Sequence, residues 1–429
     1  MTEPTTGVLA EPLAPPEPLP PERRLPPRQW LRANLASTPW NLALTIVAGL
    51  AVAWVVYRLA RWVFVTADWT VVRVNLKLFM VGFFPVDELW RLWVAAYVVV
   101  AAIGVAAGAI AASVRRPLEA GRAADRPGGR TGRRALTILH RFWPAVLGVV
   151  AVLSFTRTPL PALGTIGLVV VAWLAGVAGA RTPPALRRWA FVVVVIAFFI
   201  ALQVIISGGK GTGWDDWGGL HLVVSATVAG IALAFPLGLL LALGRRSSLP
   251  AIRMVSVGYV EAIRAVPLVT LLFLGQYMIG FMFPNTVDPP SFLVRAVIAI
   301  TLFEAAYIAE IVRGGLQAVP RGQVEAAQAV GLSPVKVLRL VVLPQALRAV
   351  IPAMVGQFIS LFKDTSLLAI VGFFELLDVA NAVTQQDAFR GQGLRPLTLA
   401  FVGLIYWAGC STMSRESQRL ERRLGVGER

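Results

Sequence analysis

Charged side chains inside apolar segments are the residues of this sequence best suited to bind a charged solute. Glu304 lies in the apolar stretch 291–312, and Lys363 lies in the stretch 352–372. A charge in mid-bilayer costs roughly 2.5–3.5 kcal/mol on insertion scales, so such residues usually face a cavity or a partner. This group offers both a cation and acceptors, so it could bind a solute that carries charges of both signs. The candidate solute-contacting residues are Glu304, Lys363, Asp364, Thr365 and Ser366.

A purely structural role for these charges is an equally good interpretation. Glu304 and Lys363 could form a buried ion pair that contacts no solute. Adjacent residues do not share a helix face. We therefore expect one of Lys363 and Asp364 to face the solute pathway and the other to face a neighbouring helix.

Residue types that carry enzymatic chemistry are few. Cys410 is the single cysteine and lies in an apolar run, and the two histidines, His140 and His221, lie near the ends of apolar stretches. The glycine-rich segment 207–219 contains Lys210, but its glycines and hydroxyls lack the spacing of a phosphate-binding loop. We predict no catalytic site, no metal site and no ATP hydrolysis by this chain.

The elements that must position these residues are membrane-spanning helices. The chain has 429 residues, of which 57% are hydrophobic and 15% are charged, and its mean hydropathy is +0.70. A soluble domain carries roughly 25% charged residues. The formal net charge of +17 comes from arginines between apolar runs, which is typical of cytoplasmic loops rather than of nucleic-acid binding. The sequence predicts an all-α, polytopic membrane protein.

Runs of apolar residues predict about ten spans, because about 20 such residues cross a bilayer. They are 41–62, 89–112, 142–156, 159–180, 189–207, 220–244, 265–284, 291–312, 352–372 and 397–414. Placing the arginine-rich loops in the cytoplasm puts both termini inside.

The predicted organisation has five parts. Residues 1–39 form a proline-rich cytoplasmic tail, disordered or extended, and 40–207 form an accessory block of about five spans. Residues 208–219 form a flexible linker outside, with interfacial tryptophans. Residues 220–415 form a five-span core, and 416–429 form a basic cytoplasmic tail.

Small residues recur at every fourth position of the first core span. Such a stripe allows close helix approach, either inside the core or at a subunit interface. The residues are Ala226, Gly230, Ala234, Gly238 and Ala242.

A loop of unusual composition, 313–350, follows the third core span. Pro320 can start a short helix, and Gly331 can end it in a left-handed turn. Ser333 can cap a second helix, which Pro344 would kink or end. Two short helices around a glycine bend predict a protruding knob on the cytoplasmic face.

The residues of this knob resemble the EAA loop of ABC-importer permeases. The family pattern is Glu-Ala-Ala, three residues, Gly, nine residues, Ile, one residue and Leu-Pro, and only its Ile position differs here, as Val341. The resemblance implies a type I importer core and a coupling helix that sits in a groove of a separate ATPase. The implied coupling residues are Glu325, Ala326, Ala327, Gly331, Leu343 and Pro344.

Further stretches resemble amino-acid permeases, the polar and general L-amino-acid type of Gram-negative bacteria. They are Tyr259–Leu268, Ala306–Gly315, Gly356–Leu368 and Met413–Leu424. The resemblance implies an inner-membrane permease subunit that translocates amino acids. It also implies a periplasmic binding protein, a second permease subunit (a copy or a paralogue), and ATP and magnesium on the partner ATPase, with no cofactor on this chain.

Two other functions make different demands on the sequence. A secondary transporter would require an internal inverted repeat, and the two halves do not correspond. A membrane-bound transferase would require polar catalytic residues clustered at one membrane face, and none is found.

We also expect residues 1–207 to lie outside the translocation pathway.

Overall fold

The computed structural model describes residues 26–120, 159–183, 189–206, 217–284 and 287–424. Contacts between residues divide the chain into two compact units, Met1–Asp68 and Trp69–Arg429. Helices and their connections make up the described ranges, which contain no β-strand beyond one isolated bridge. The predicted all-α class is therefore confirmed.

The helices are numbered here in chain order. The first unit holds α1 (Pro27–Leu35) and α2 (Pro39–Arg61), and α2 continues into a π-helical turn, Trp62–Thr66. The second unit holds α3 (Thr70–Val74), α4 (Leu76–Val81), α5 (Leu89–Ala120), α6 (Pro159–Arg181), α7 (Ala190–Ile206), α8 (Gly219–Gly244), α9 (Pro250–Arg264), α10 (Leu268–Phe273), α11 (Phe292–Ala318), α12 (Arg321–Ala329), α13 (Pro334–Val337), α14 (Leu343–Asp364), α15 (Leu376–Ala382) and α16 (Arg395–Leu424).

Six helical segments of the described residues are long and apolar enough to cross a membrane. They are Pro39–Thr66, Val86–Ala106, Gly219–Gly244, Phe292–Ala318, Pro334–Val371 and Arg395–Arg422. A bent pair of helices adds up to one more, and two shorter apolar helices are Ile166–Arg181 and Val192–Ile205. Nine of the ten predicted spans fall on helices, and the remaining one, 142–156, lies outside the described residues.

The predicted span 265–284 is half of a broken helix. The two parts, Pro250–Arg264 and Leu268–Phe281, meet at an angle of 105°. Pro267, at the break, has no N–H to continue the first helix, and the proline disfavours helical geometry in the residue before it. The first part, Pro250–Arg264, was not predicted as a helix, because its arginines are typical of a cytoplasmic loop.

The predicted span 352–372 begins earlier in the structure. The α-helix starts at Leu343 and continues as a 3₁₀ segment, Thr365–Val371, which Gly372 ends at a φ of +93°. Lys363 therefore lies in the last α-helical turn, not at the centre of its helix. Glu304, in contrast, lies near the middle of α11 as predicted.

The small residues of α8 face the core, which decides between the two interpretations of the stripe. All five are buried in the packing of α8. A Cβ on Gly238 would lie 2.7 Å from the side chain of Ile308 and 2.9 Å from the carbonyl oxygen of Ala305. Helices α8 and α11 therefore approach at backbone distance and form the centre of the second unit.

Two predictions about the front of the chain need correction. The tail 1–39 was predicted to be disordered or extended; residues 1–25 lie outside the described residues, and Pro27–Leu35 is helical. Trp217 of the linker is 3% exposed and packs on His221, so it is not an interfacial side chain. The accessory role of the block 40–207 stays a prediction, and its residues from Trp69 onward belong to the compact unit that contains the core.

The segment of α3 and α4 packs directly on the core. The buried Asn75 exchanges two hydrogen bonds with Gln386, of 2.8 Å and 3.1 Å. Phe79 is fully buried and meets the ring of Phe401 edge-on at 5.1 Å. Contacts of this kind make the segment part of the core at the end that carries α15.

Candidate functional site

The knob is a short helix that ends in a glycine turn. After α12, Gly331 adopts a φ of +80°, and its N–H donates to the carbonyl of Gln328 at 2.9 Å. The N–H of Leu332 donates to the carbonyl of Ala327 at 3.2 Å. This pair of bonds is the Schellman arrangement that satisfies free carbonyls at a helix end, and it fixes the direction in which the chain returns.

The inner face of the knob is anchored by apolar side chains. Ala327, Val337 and Val342 are buried in a cluster with residues of α8, α11 and α14. Of the predicted coupling residues, Ala327 is therefore a packing residue, and Leu343 is half-buried against the same cluster.

The outer face of the knob carries apolar side chains that nothing in the described chain covers. Val330, Val335 and Leu340 are 76%, 73% and 60% exposed, and the predicted coupling residues Glu325 and Ala326 are exposed as well. Several large apolar side chains exposed in one short segment are typical of a protein-binding surface.

The second half of the knob differs from the predicted capped helix. Ser333 occupies the N-cap position, but its side chain makes no capping hydrogen bond. A π-helical turn, Leu338–Val342, joins α13 to α14, and Pro344 lies in the first turn of α14. Pro344 lacks an N–H, so it is accommodated at a helix start and the chain neither ends nor kinks there.

A charge network that the sequence did not predict centres on Glu310. The carboxylate of Glu310 accepts hydrogen bonds from Arg245 at 2.9 Å and from Arg313, and Arg264 approaches it to 3.7 Å. Arg245 also bonds Glu261 at 3.1 Å. The network ties α8, α9 and α11 together. No sequence signal predicts it, because Arg245 and Glu310 are 65 residues apart.

The structure does not pair Glu304 with Lys363. Glu304 is 1% exposed, and both its carboxylate oxygens accept from the side-chain amide of Gln357, at 3.1 Å and 3.3 Å. Lys363 is exposed and makes no ion pair with any residue in the described ranges. Of the two interpretations, the structure contains no Glu304–Lys363 ion pair, and the partner of Glu304 is Gln357, which the sequence did not indicate.

The other candidate pathway residues surround the end of α14. Asp364 and Ser366 are half-buried. Thr365 is fully buried and donates its hydroxyl to the carbonyl of Phe362 at 2.7 Å. Lys363 and Asp364 differ in exposure, as expected for neighbours on different faces of one helix. The structure leaves Lys363 as the charge most accessible to a solute.

Helix α15 closes the end of the core opposite the knob. Glu375 is fully buried and caps α15, accepting from the N–H groups of Leu377 and Asp378 at 2.7 Å and 3.0 Å. Burial raises the pKa of Glu375 to about 7, although the two N–H bonds and the Tyr406 hydroxyl act in the opposite direction. Glu375 therefore joins α15 to α16 with a carboxylate that titrates near neutral pH.

Among the described residues, no group of three or more His, Cys, Asp or Glu side chains is placed so that it could hold a metal ion.

Comparison with known proteins gives one family and several relatives. Residues 234–426 match the family described as "Binding-protein-dependent transport system inner membrane component". The chain is similar to a glutamate/glutamine/aspartate/asparagine transport system permease protein of Rhodobacter capsulatus, with 36% identity over 437 residues that cover 92% of this chain and 93% of that protein.

Two further matches cover about half of the chain. An inner membrane amino-acid ABC transporter permease protein of Escherichia coli is 47% identical over 214 residues, which are 49% of this chain and 57% of that protein. A crystal structure of an amino acid ABC transporter with histidines is 30% identical, with a TM-score of 0.42, and covers 47% of this chain and 90% of that one. The R. capsulatus match extends over the front spans as well.

Proposed function

Because this chain belongs to the family of inner-membrane permease components of binding-protein-dependent ABC transport systems, we propose that it imports amino acids of the glutamate, glutamine, aspartate and asparagine class. Members of the family are membrane-spanning transport subunits that work with a substrate-binding protein, and ATP is hydrolysed on a separate subunit. The observation that carries the substrate class is the match to the R. capsulatus permease along nearly the whole length of both chains.

The knob is the docking element for the ATPase subunit in this proposal. Val330, Val335 and Leu340 supply its exposed apolar side chains, and Glu325 and Ala326 are exposed on the same knob. The remaining coupling residues, Ala327, Gly331, Leu343 and Pro344, hold that surface against the ends of the spans. ATP-driven movement of the partner would therefore reach α11 and α14 directly. ATP and magnesium bind the partner, and this chain needs no cofactor.

The translocation pathway lies along the uncovered face of α14. Small or polar side chains on this face are exposed in the single chain, at Ala349, Ala353, Gly356 and Lys363. A lysine left exposed on a membrane helix is costly, so we propose that a second permease subunit encloses this face. Lys363 would then contact the solute carboxylate, while Asp364, Thr365 and Ser366 complete the wall.

Glu304 has a supporting role in this arrangement. It is sealed between α11 and α14 by its bonds with Gln357, so it sets the position of the pathway helix. The knob and both termini are assigned to the cytoplasm, because the arginine-rich loops lie on that side under the positive-inside rule.

An uptake experiment tests the proposal. The chain is co-produced with its ATPase, its partner permease and its binding protein in cells that lack their own importers for these amino acids. We expect ATP-dependent uptake of labelled L-glutamate, L-glutamine, L-aspartate or L-asparagine, and none with an ATPase variant that cannot hydrolyse ATP. An assembled complex that takes up none of the four would refute the substrate class.

A further inference from the structure

A polar pocket lies beside α15, at the end of α14 that is remote from the knob. It has a volume of about 280 Å³ and is lined by Asp378, Asn381, Ala382, Thr384, Gln385 and Arg395. This volume is near the lower limit of small-molecule sites, which is roughly 300 Å³. Five of the six lining side chains are polar or charged. The pocket lies at the edge of the candidate membrane spans, since one span ends at Val371 and its lining residue Arg395 begins the next.

The two charges in the pocket have opposite sign and do not neutralise each other. The side chains of Asp378 and Arg395 make no ion pair or hydrogen bond with each other or with any other residue in the described part of the chain. A carboxylate and a guanidinium that line one concave site, each without a protein partner, are free to bind a ligand that carries both charges.

Asn381 supports the wall of the pocket. Its side-chain nitrogen donates to the carbonyl of Leu377 at 3.0 Å. Its side-chain oxygen is enclosed by the protein, so the charged contacts that the pocket offers a ligand are Asp378 and Arg395.

The walls of the pocket are held in place by hydrogen bonds. The cap of Glu375 fixes the start of α15, and the Thr398 hydroxyl donates to the carbonyl of Ala380 at 2.8 Å, which ties α16 to α15. Gln386 is held by Asn75. A site whose walls are fixed before binding loses less conformational entropy when it takes a ligand.

We propose that this pocket binds a free zwitterionic amino acid, whose carboxylate contacts Arg395 and whose ammonium contacts Asp378. The assignment rests on the proposed amino-acid import, under which this end of the core faces the side from which the solute arrives. The pocket is then a receiving site between release from the binding protein and entry into the pathway.

The test is equilibrium binding of radiolabelled L-glutamine to the purified complete importer in nanodiscs, without binding protein. Asp378→Asn and Arg395→Gln should each weaken binding about tenfold or more. Matched controls are Asp387→Asn and Arg390→Gln, because these exposed residues lie on the same segment outside the pocket. The controls should bind like the wild type.

A conservative variant and a ligand analogue show whether weaker binding of L-glutamine comes from the lost charge or from a folding defect. Arg395→Lys should regain part of the affinity, since it restores the positive charge. The methyl ester of L-glutamine should bind the wild type weakly, because it lacks the carboxylate. In Arg395→Gln the difference between L-glutamine and its ester should be largely lost.

Other results would show that the pocket does not receive a free amino acid. Equal affinity of the pocket variants and the controls overturns the receiving site. If the pocket variants instead weaken association with the binding protein and leave free L-glutamine binding unchanged, the pocket takes a side chain of that protein, and the proposal is also overturned. A wild-type importer without amino-acid uptake contradicts the proposed function and is a separate result from either of these.

Discussion

Replacement of Gly331 by valine tests whether the bend of the knob transmits motion from the ATPase. Gly331 has a φ of +80°, and a Cβ built on it meets no atom within 4 Å. A larger side chain therefore causes no clash there, and the cost lies in the backbone. A residue other than glycine in the left-handed region costs about 1–3 kcal/mol, and a β-branched residue lies at the unfavourable end of this range.

The expected effect on the knob follows from this cost. At about 2 kcal/mol, the population of the bent form falls roughly thirtyfold. The two hydrogen bonds of the turn, from Gly331 and Leu332, are lost with it. The buried anchors Val337 and Val342 remain in place, so the spans should stay folded while the docking surface loses its orientation.

The assay is the ratio of amino-acid transport to ATP hydrolysis in the reconstituted complex, together with the amount of ATPase subunit that co-purifies. Gly331→Val should assemble weakly or hydrolyse ATP with little transport. Gly331→Asn should retain most of the coupling, because asparagine tolerates left-handed geometry.

Gly322→Val is the matched control for this substitution. Gly322 lies in α12 with helical geometry and with open space around its Cβ position. It should couple like the wild type. If Gly331→Val transports and hydrolyses ATP as well as Gly322→Val does, the bend has no role in coupling.

Three other changes probe the rest of the molecule. Asn75→Ala should lower the stability of the complex, measured by thermal unfolding, by about 1–3 kcal/mol, because it leaves the amide of Gln386 without its partner. The double variant Asn75→Ala/Gln386→Ala should be little less stable than Asn75→Ala. If the stability losses of the two single variants simply add, the two side chains do not interact directly. Glu375 has a pKa raised from 4.5 to about 7, so the folded state binds the proton more tightly than the unfolded state. The stability should then fall by at most about 3 kcal/mol as the pH rises from about 4.5 to 7, and it should stay level above pH 7. In Glu375→Gln, the thermal stability should not depend on pH over this range. If the variant shows the same pH dependence as the wild type, another group causes it. Lys363→Met should reduce uptake at unchanged membrane abundance, and adding Glu304→Gln should not restore it, because no ion pair joins the two residues; joint recovery of uptake and abundance would revive the structural pair.

Features that depend on a few neighbouring residues were predictable from the sequence. Apolar length gave the helices on which nine predicted spans fall, because backbone groups in lipid must bond within their own segment. Gly331 gave the left-handed turn, since only glycine adopts that geometry without steric cost. Pro320 marked the start of the knob helix for a similar local reason. The first helix of the knob and its glycine turn were therefore predictable, whereas the second half, with its π-helical turn, was not.

Helix-to-helix partners were decided by the tertiary structure alone. Glu304 bonds Gln357 and not Lys363, and Asn75 pairs with Gln386 across 311 residues. The pattern of apolar residues does not predict these partners. Lipid is as apolar as the protein interior, so the helix face that packs on another helix and the face that contacts lipid have similar compositions. The faces that meet are set by close packing of small residues and by polar pairs, and both depend on how the helices are arranged in space.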